Sequence, residues 1–290
     1  MNSIIVGLGI GNLYKTQLEL LGHNVVTVDL DPSKQATFTD INHALDNNPC
    51  FETAFICTPN FTHFSLANKL AKFSKIVFVE KPGVETSSLW YDLITSNPKT
   101  RFMMVKNNQW RDNIDEFKSL AEKSEKIYLH WINQNRVPNP GSWFTNRKLA
   151  FGGVSRDLIP HLLSLYITLE PNYKQTGWLK RQFYQRWRLE DLSSTGYGVI
   201  DPLGVYDVDD RAELYTVING KYYGIVADWR SNGDNDIGIH FDKEYRELGL
   251  CPESAYKAMI ETALKNIDNK DFWIDQNHQD LWIHDVITTF

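Results

Sequence analysis

The sequence predicts an α/β protein of two domains. The first is a domain of alternating strands and helices built on a parallel sheet. The second is an α+β domain with a large, mostly antiparallel open sheet. Three observations carry this. Short β-branched apolar runs alternate with segments of helical period through the first hundred residues. The alternation stops after Lys106. From about 177 to 241 the runs follow one another as strands separated by turns. The boundary falls near residue 107, giving domains at 1–107 and 108–290.

The first-domain strands are SIIVG, NVVTVD, TAFICT, IVFVE and RFMMV, continuous enough to be buried on both faces. Between them, residues 62–72 place Leu66, Ala67, Leu70 and Ala71 at helical spacing, and residues 85–96 place Leu89, Trp90, Leu93 and Ile94 likewise. Beyond the boundary, Ile114, Phe117, Leu120 and Ala121 mark a helix over 112–123. The run KIYLHWI follows, then a loop with Pro138, Pro140 and Gly141, and a helix-like segment at 155–168. ELYTVI and KYYGIVADW flank Asn219-Gly220, a strong hairpin signal, and IGIHF comes after them. Met259, Ile260, Ala263, Leu264 and Ile267 predict a helix at 256–267.

Composition narrows the function classes. Of 290 residues, 42% are hydrophobic and 23% charged, the profile of a soluble globular chain. The net charge is −6 with no basic stripe, which argues against nucleic acid as a partner. No run approaches the roughly 18 apolar residues of a membrane span, so no membrane is expected as a partner. MNSIIVG reads as a strand rather than a secretory leader. Cys50, Cys57 and Cys251 show no framework spacing and suggest buried thiols in a reducing compartment. The localisation expected from these features is cytoplasmic. Neither the Cys nor the His positions cluster as metal ligands, and no metal is expected.

The first strand runs into VGLGIGNLYKTQL, where Gly7, Gly9 and Gly11 crowd the turn before a helix carrying Leu13, Leu18 and Leu21. Glycines there let backbone amides approach a pyrophosphate seated on the helix N-terminus. In G-x-G-x-x-G the third glycine would fall at Asn12, so this turn is one residue shorter than the common form. VVTVD ends in Asp29, 22 positions beyond Gly7, where a carboxylate meets the ribose hydroxyls of a dinucleotide. The first domain therefore reads as a Rossmann dinucleotide-binding domain. A carboxylate there repels a 2′-phosphate and favours NAD(H) over NADP(H), a preference that the nearby Lys34 softens.

Three later segments carry a resemblance. Thr58, Pro59, Asn60 and His63 form T-P-N-x-x-H, Glu80-Lys81-Pro82 follows the next strand, and FGGVSRDLIPHLL places Gly152, Gly153, Asp157 and His161 in order. Together with the glycine turn, these resemble the glucose–fructose oxidoreductase / inositol dehydrogenase / rhizopine catabolism (Gfo/Idh/MocA) family across nearly the whole chain. The resemblance implies that Gly7, Gly9, Gly11, Asn12, Asp29, Thr58, Pro59, Asn60, His63, Glu80 and Lys81 bind the cofactor. It implies that Lys81 contacts the reacting hydroxyl and that Lys81-Pro82 is a cis peptide. Desolvation at the strand tip would lower the lysine's pKa and suit it to proton transfer. Asp157 and His161, four apart, share a face if the segment is helical, although Pro160 requires either a helix start near Asp157 or a kink. In that reading His161 handles a proton with Lys81, and Asp157 orients.

Arg136, Trp143 and Arg147 precede the Gly-Gly segment and are candidate substrate contacts, an arginine for a carboxylate or phosphate and the tryptophan for a pyranose face. Asp228-Trp229-Arg230 is a weaker candidate. The resemblance further implies a homo-oligomer, dimer or tetramer, formed through the C-terminal sheet. The expected activity is hydride transfer between nicotinamide and a hydroxyl or ketone carbon of a sugar, sugar derivative or cyclitol. Two alternatives stand beside it: an imine- or tetrapyrrole-type reductase, and a dinucleotide-sensing regulator without turnover.

Overall fold

The computed structural model describes residues 1–48, 50–195 and 197–288. The chain divides into two compact units, Met1–Val105 with Glu253–Val286, and Lys106–Pro252 with the last residues from Ile287.

In the first unit the strands are β1 (Asn2–Val6), β2 (Asn24–Val28), β3 (Phe51–Ile56), β4 (Ser74–Val79) and β5 (Arg101–Met104). All pair in parallel in the order β2-β1-β3-β4-β5. Ile4, Ile5, Ala54, Phe55, Val77 and Phe78 are fully buried, which is why these runs read as continuous apolar stretches. The helices are α1 (Gly11–Leu20), α2 (Ile41–Asn47), α3 (His63–Leu70) and α4 (Ser87–Ser96). On α1 the buried face is Gly11, Tyr14, Gln17 and Leu18, so of the expected leucines Leu18 is buried while Leu13 and Leu21 are half-buried. Tyr14 lies against Phe55, which stacks on Phe78.

Register brings the functional loops into a row. Val6 pairs with Ile56, Ile56 with Val79, and Val79 with Met104. The residues just past these strands continue the ladder: Cys57 N donates to Val6 O, Glu80 N to Ile56 O and Val105 N to Val79 O. The glycine turn, the Thr58 segment and the Glu80-Lys81-Pro82 segment thus leave one sheet edge side by side. The strand order reverses between β1 and β3, the switch point where open α/β sheets bind ligands.

The second unit holds α5 (Ile114–Lys123), β6 (Lys126–Ile132), α6 (Arg147–Ala150), α7 (Val154–Asp157), α8 (Ile159–Leu169), β7 (Trp178–Tyr184), β8 (Arg211–Ile218), β9 (Lys221–Asp228), β10 (Asp236–Phe241) and β11 (Glu244–Glu247). The sheet order is β11-β10-β6-β9-β8-β7, antiparallel except for the β6–β9 pair. Asn219 and Gly220 both have positive φ and close the β8–β9 hairpin, as their pairing signalled. Alternate residues of β6 and β9 face α8, with Tyr223 edge-on to Tyr166 and bonded to Glu170. The opposite face carries Tyr128, His130, Arg211, Glu213, Tyr215, Tyr222 and His240.

The domain assignment of the C-terminal helices and the burial of the cysteines need correction. The helices α9 (Glu253–Lys265) and α10 (Lys270–Ile287) were placed with the second domain, but residues to Val286 group with the first unit, where α9 packs on α1. No apolar stripe marks α10 in the sequence, because its buried side mixes Trp273 and Ile283 with Gln276, Gln279, Asp280 and His284. The helical segment at 155–168 breaks at Leu158 into two helices, as Pro160 required, with Pro160 in the first turn of α8, where it displaces no intrahelical bond. None of the three cysteines is fully buried: Cys50 is exposed, Cys57 and Cys251 are half-buried, and all three are free. Among the described residues no helix is long and apolar enough to cross a membrane.

Candidate functional site

The glycine turn is built from backbone needs. Gly7 sits at φ +92°, and a Cβ there would meet Cys57 O at 2.5 Å, so strand β3 fixes this position as glycine. Gly9 has open space where a side chain would project. Gly11 opens α1, and a Cβ on it would lie 2.9 Å from Ile5 Cγ2. That close helix–strand packing is the task of the third glycine in the longer motif. The turn is one residue shorter, yet the packing role is kept by Gly11. Asn12, where that glycine would fall, closes the turn by donating from Nδ2 to Leu8 O at 2.7 Å.

Asp29 belongs to the same construction. Its Oδ2 accepts from Leu8 N at 2.7 Å and its Oδ1 from Asp31 N at 2.9 Å. A carboxylate offers about four acceptor sites, so two remain for ribose hydroxyls. Asp31 caps the turn Pro32–Lys34 through Ser33 N, holding Lys34 next to the strand end.

A dinucleotide fits these residues. The glycine turn leads into the N-terminus of α1, where the helix dipole favours an anion, the space over Gly9 is open, and the half-buried Asp29 carboxylate lies beside it. Gly7, Gly9, Gly11 and Asp29 would hold it.

The Thr58 segment is braced internally. Thr58 and Thr62 hydroxyls bond at 2.6 Å, and Thr62 donates to Pro59 O at 2.7 Å. Pro59 and Asn60 are half-buried at the turn that opens α3. His63 is fully buried, with Nδ1 2.7 Å from Gly83 O and Nε2 2.8 Å from Thr58 O. Burial pushes its pKa down, against the pull of both carbonyls, and the nearby Lys81 charge adds to the lowering. A neutral ring donates to one carbonyl at a time. His63 is thus a strut between two loops.

Glu80 and Lys81 are half-buried at the end of β4, and the Lys81–Pro82 peptide is cis. The Tyr14 hydroxyl, reaching from α1, donates to Glu80 Oε1 in a short bond. Burial raises the Tyr14 pKa well above its ordinary value, and the Glu80 charge raises it further, so the phenol stays a donor. Glu80 Oε2 accepts from the Lys81 amide at 3.2 Å. Tyr14 went unnoticed in the sequence because nothing in a pattern links positions 66 residues apart.

In the second unit, Gly153 permits a close approach: a Cβ there would overlap the Asp209 carbonyl. The Asp209 side chain then caps α7, accepting from Gly153 N at 3.0 Å, Ser155 N at 2.7 Å and Ser155 Oγ at 2.9 Å. Asp157 ends that helix, half-buried, and accepts from Trp229 Nε1 at 2.9 Å. Trp229, weak in the sequence reading, is buried and positions Asp157. Half-buried His161 leans on Trp131 with ring centroids 5.4 Å apart. Trp131 of β6 pairs with Ala227 of β9, two residues before Trp229. Both side chains are therefore carried by tryptophans at one end of the same two strands.

The remaining candidates stand on the segment leading to the glycine pair. The Arg136 guanidinium lies over the Tyr197 ring at 4.4 Å. Trp143 stacks on Phe144 at 3.9 Å. Arg147, exposed, donates from its amide to Asp207 Oδ1 at 2.6 Å and from Nε to Asp207 O at 3.0 Å.

Comparison with known proteins agrees with this geometry. Residues 26–104 match the family model described as "Oxidoreductase family, NAD-binding Rossmann fold". The chain is 27% identical over 237 residues to a protein of Amycolatopsis mediterranei (strain S699) assigned as a UDP-kanosamine synthase oxidoreductase subunit. That match spans 74% of this chain and 63% of the relative's length. Among solved structures, GenD2 from gentamicin A biosynthesis, in complex with NAD, superposes with a TM-score of 0.78 at 15% identity, covering 99% of this chain and 92% of that one. Levoglucosan dehydrogenase with NADH and levoglucosan gives 0.73 at 16%, covering 99% and 95%. At such identities the structures establish a shared fold. Residues 26–104 thus match the NAD-binding Rossmann fold of an oxidoreductase family, and the chain shares its overall fold with sugar dehydrogenases of known structure.

Proposed function

We propose that the protein is an NAD(H)-dependent oxidoreductase that transfers a hydride between nicotinamide and a hydroxyl or ketone carbon of a sugar, sugar derivative or cyclitol. The observation that carries this is the sheet edge of the first unit, where the glycine turn and the Glu80-Lys81-Pro82 segment leave strands flanking β3. NAD supplies the hydride acceptor when bound. Oxidation of a carbinol also releases the hydroxyl proton, and Lys81, in its neutral form, takes it. His161 is the second proposed proton-transfer group, and Asp157, held by Trp229, is proposed to orient the hydroxyl. In reduction the same groups return the proton.

The sugar class is supported by the relatives, whose names refer to kanosamine and levoglucosan. Arg136, Trp143 and Arg147 are the proposed substrate contacts, and the aromatic face of the second sheet is the proposed self-association surface. The test is titration with NADH and NADPH by nicotinamide fluorescence, followed by nicotinamide absorbance with D-glucose, levoglucosan, myo-inositol and UDP-glucose. NADH binding with turnover of a panel member is expected. NADH binding without turnover of any panel member would point to a sensing role instead.

A further inference from the structure

The segment that presents Lys81 is held from behind by a residue 200 positions away, and this contact lies within one unit. Gly83 has φ +78°, and a Cβ on it would meet His284 Nε2 at 2.5 Å and Cε1 at 2.7 Å. The imidazole of α10 therefore sits directly against the turn. His284 Nδ1 donates to the Asp280 carbonyl at 2.6 Å, which leaves the Nε2 lone pair for the Val84 amide at 3.1 Å. Trp90 stacks on the same ring at 5.2 Å. One turn earlier, Asp280 Oδ2 accepts from Met104 N at 3.0 Å, tying the same helix to the end of β5. Asp280 and His284 are both completely buried.

We propose that His284 is a positioning residue for Lys81: the C-terminal helix braces the Glu80–Val84 turn and so sets where the lysine amine stands. The proposal rests on the reading that Lys81 carries the proton step. His63 secures the Gly83 carbonyl, Tyr14 secures Glu80, and His284 secures the Val84 amide. Three helices thus hold five consecutive residues around a single exposed task. A misplacement of about 1 Å at a reacting group costs on the order of 100-fold in rate, so loosening one brace is visible in turnover.

The test is a double-mutant cycle with full-length protein, NAD⁺ and the panel sugar that wild type oxidises fastest. His284→Phe keeps a ring against Trp90 and Gly83 but removes the acceptor. It is expected to lower kcat by about 10- to 100-fold while NADH affinity stays within about threefold. In the Lys81→Ala background the same change should cost nothing further, because it acts through the missing amine. Hydrogen exchange over residues 80–90 should show faster exchange of the Val84 amide. His284→Gln, which keeps an acceptor, should restore protection and most of the rate, and it serves if the Phe variant does not fold.

Wild-type turnover in His284→Phe, multiplicative losses in the double variant, or an unchanged Val84 amide would each overturn the proposal. A slow His284→Gln variant with a protected amide would do the same. A Lys81→Ala variant as fast as wild type would overturn the underlying reading instead, and would be told apart because His284→Phe would still expose the Val84 amide.

Discussion

Replacing Asp29 by alanine separates its bracing of the glycine turn from the ribose-binding role proposed for this carboxylate. The substitution removes acceptors from Leu8 N and Asp31 N. Hydrogen bonds to a charged acceptor contribute about 1.5–3 kcal/mol, with the lower end fitting a half-buried group. Leu8 is 3% exposed, so its amide has no water to turn to, whereas Asp31 is exposed and recovers a partner. The expected loss is about 2–3 kcal/mol, dominated by the Leu8 amide. For a chain of this size that lowers Tm by roughly 4–10 °C. NADH affinity should fall about tenfold or more, since the ribose loses its acceptor and the glycine turn its tether, while NADPH binding should fall less. Asp29→Asn, which keeps one oxygen for Leu8 N, should recover most of the stability and little of the NADH preference. Calorimetry and fluorescence titration read both quantities. Unchanged Tm and unchanged NADH affinity in Asp29→Ala would refute the reasoning.

Three further outcomes follow from the same geometry. Gly153→Ala places a methyl against the Asp209 carbonyl and should cost about 3 kcal/mol or more, visible as a large drop in Tm or failure to accumulate folded protein. Trp229→Phe leaves Asp157 without its indole donor; it should lower sugar turnover by about tenfold with NADH affinity unchanged, which steady-state kinetics and fluorescence together would show. His63 has a folded pKa below its unfolded value near 6.5, so its contribution to stability is present above that pH and is lost as pH falls through the folded value. Denaturant midpoints should decline on acidification below about pH 6.5, by at most about 1.4 kcal/mol per pH unit for this one proton, and His63→Gln should flatten the decline.

The fold was legible wherever burial was uniform. The parallel strands, apolar on both faces, and the Asn219-Gly220 hairpin could be read directly, because their patterns depend on neighbours a few residues away. Strands β7 and β11 carry no clear alternation, since both are edge strands: β7 holds the half-buried Lys180 and Arg181 side by side, and β11 exposes Glu244, Tyr245 and Glu247. The α10 helix escaped for the opposite reason, a buried face that is half polar. At the candidate site the ordered motifs were visible as residue types, and the structure gave several of them a backbone role. Asn12 closes a turn, His63 spans two loops, and Gly153 makes room for a capping carboxylate. The braces Tyr14, Trp229 and His284 lie 66, 72 and 200 positions from what they hold, beyond the reach of any periodicity.

The central claim is that Lys81 moves the proton in an NAD-dependent oxidation of a sugar-like alcohol. The most direct measurement is turnover of the Lys81→Ala variant, followed by nicotinamide absorbance beside an NADH titration of the same preparation. The account predicts NADH affinity within about threefold of wild type and a kcat lower by about 100-fold or more, in line with the loss of a general acid–base group. Wild-type turnover in that variant, with the cofactor bound normally, would contradict it.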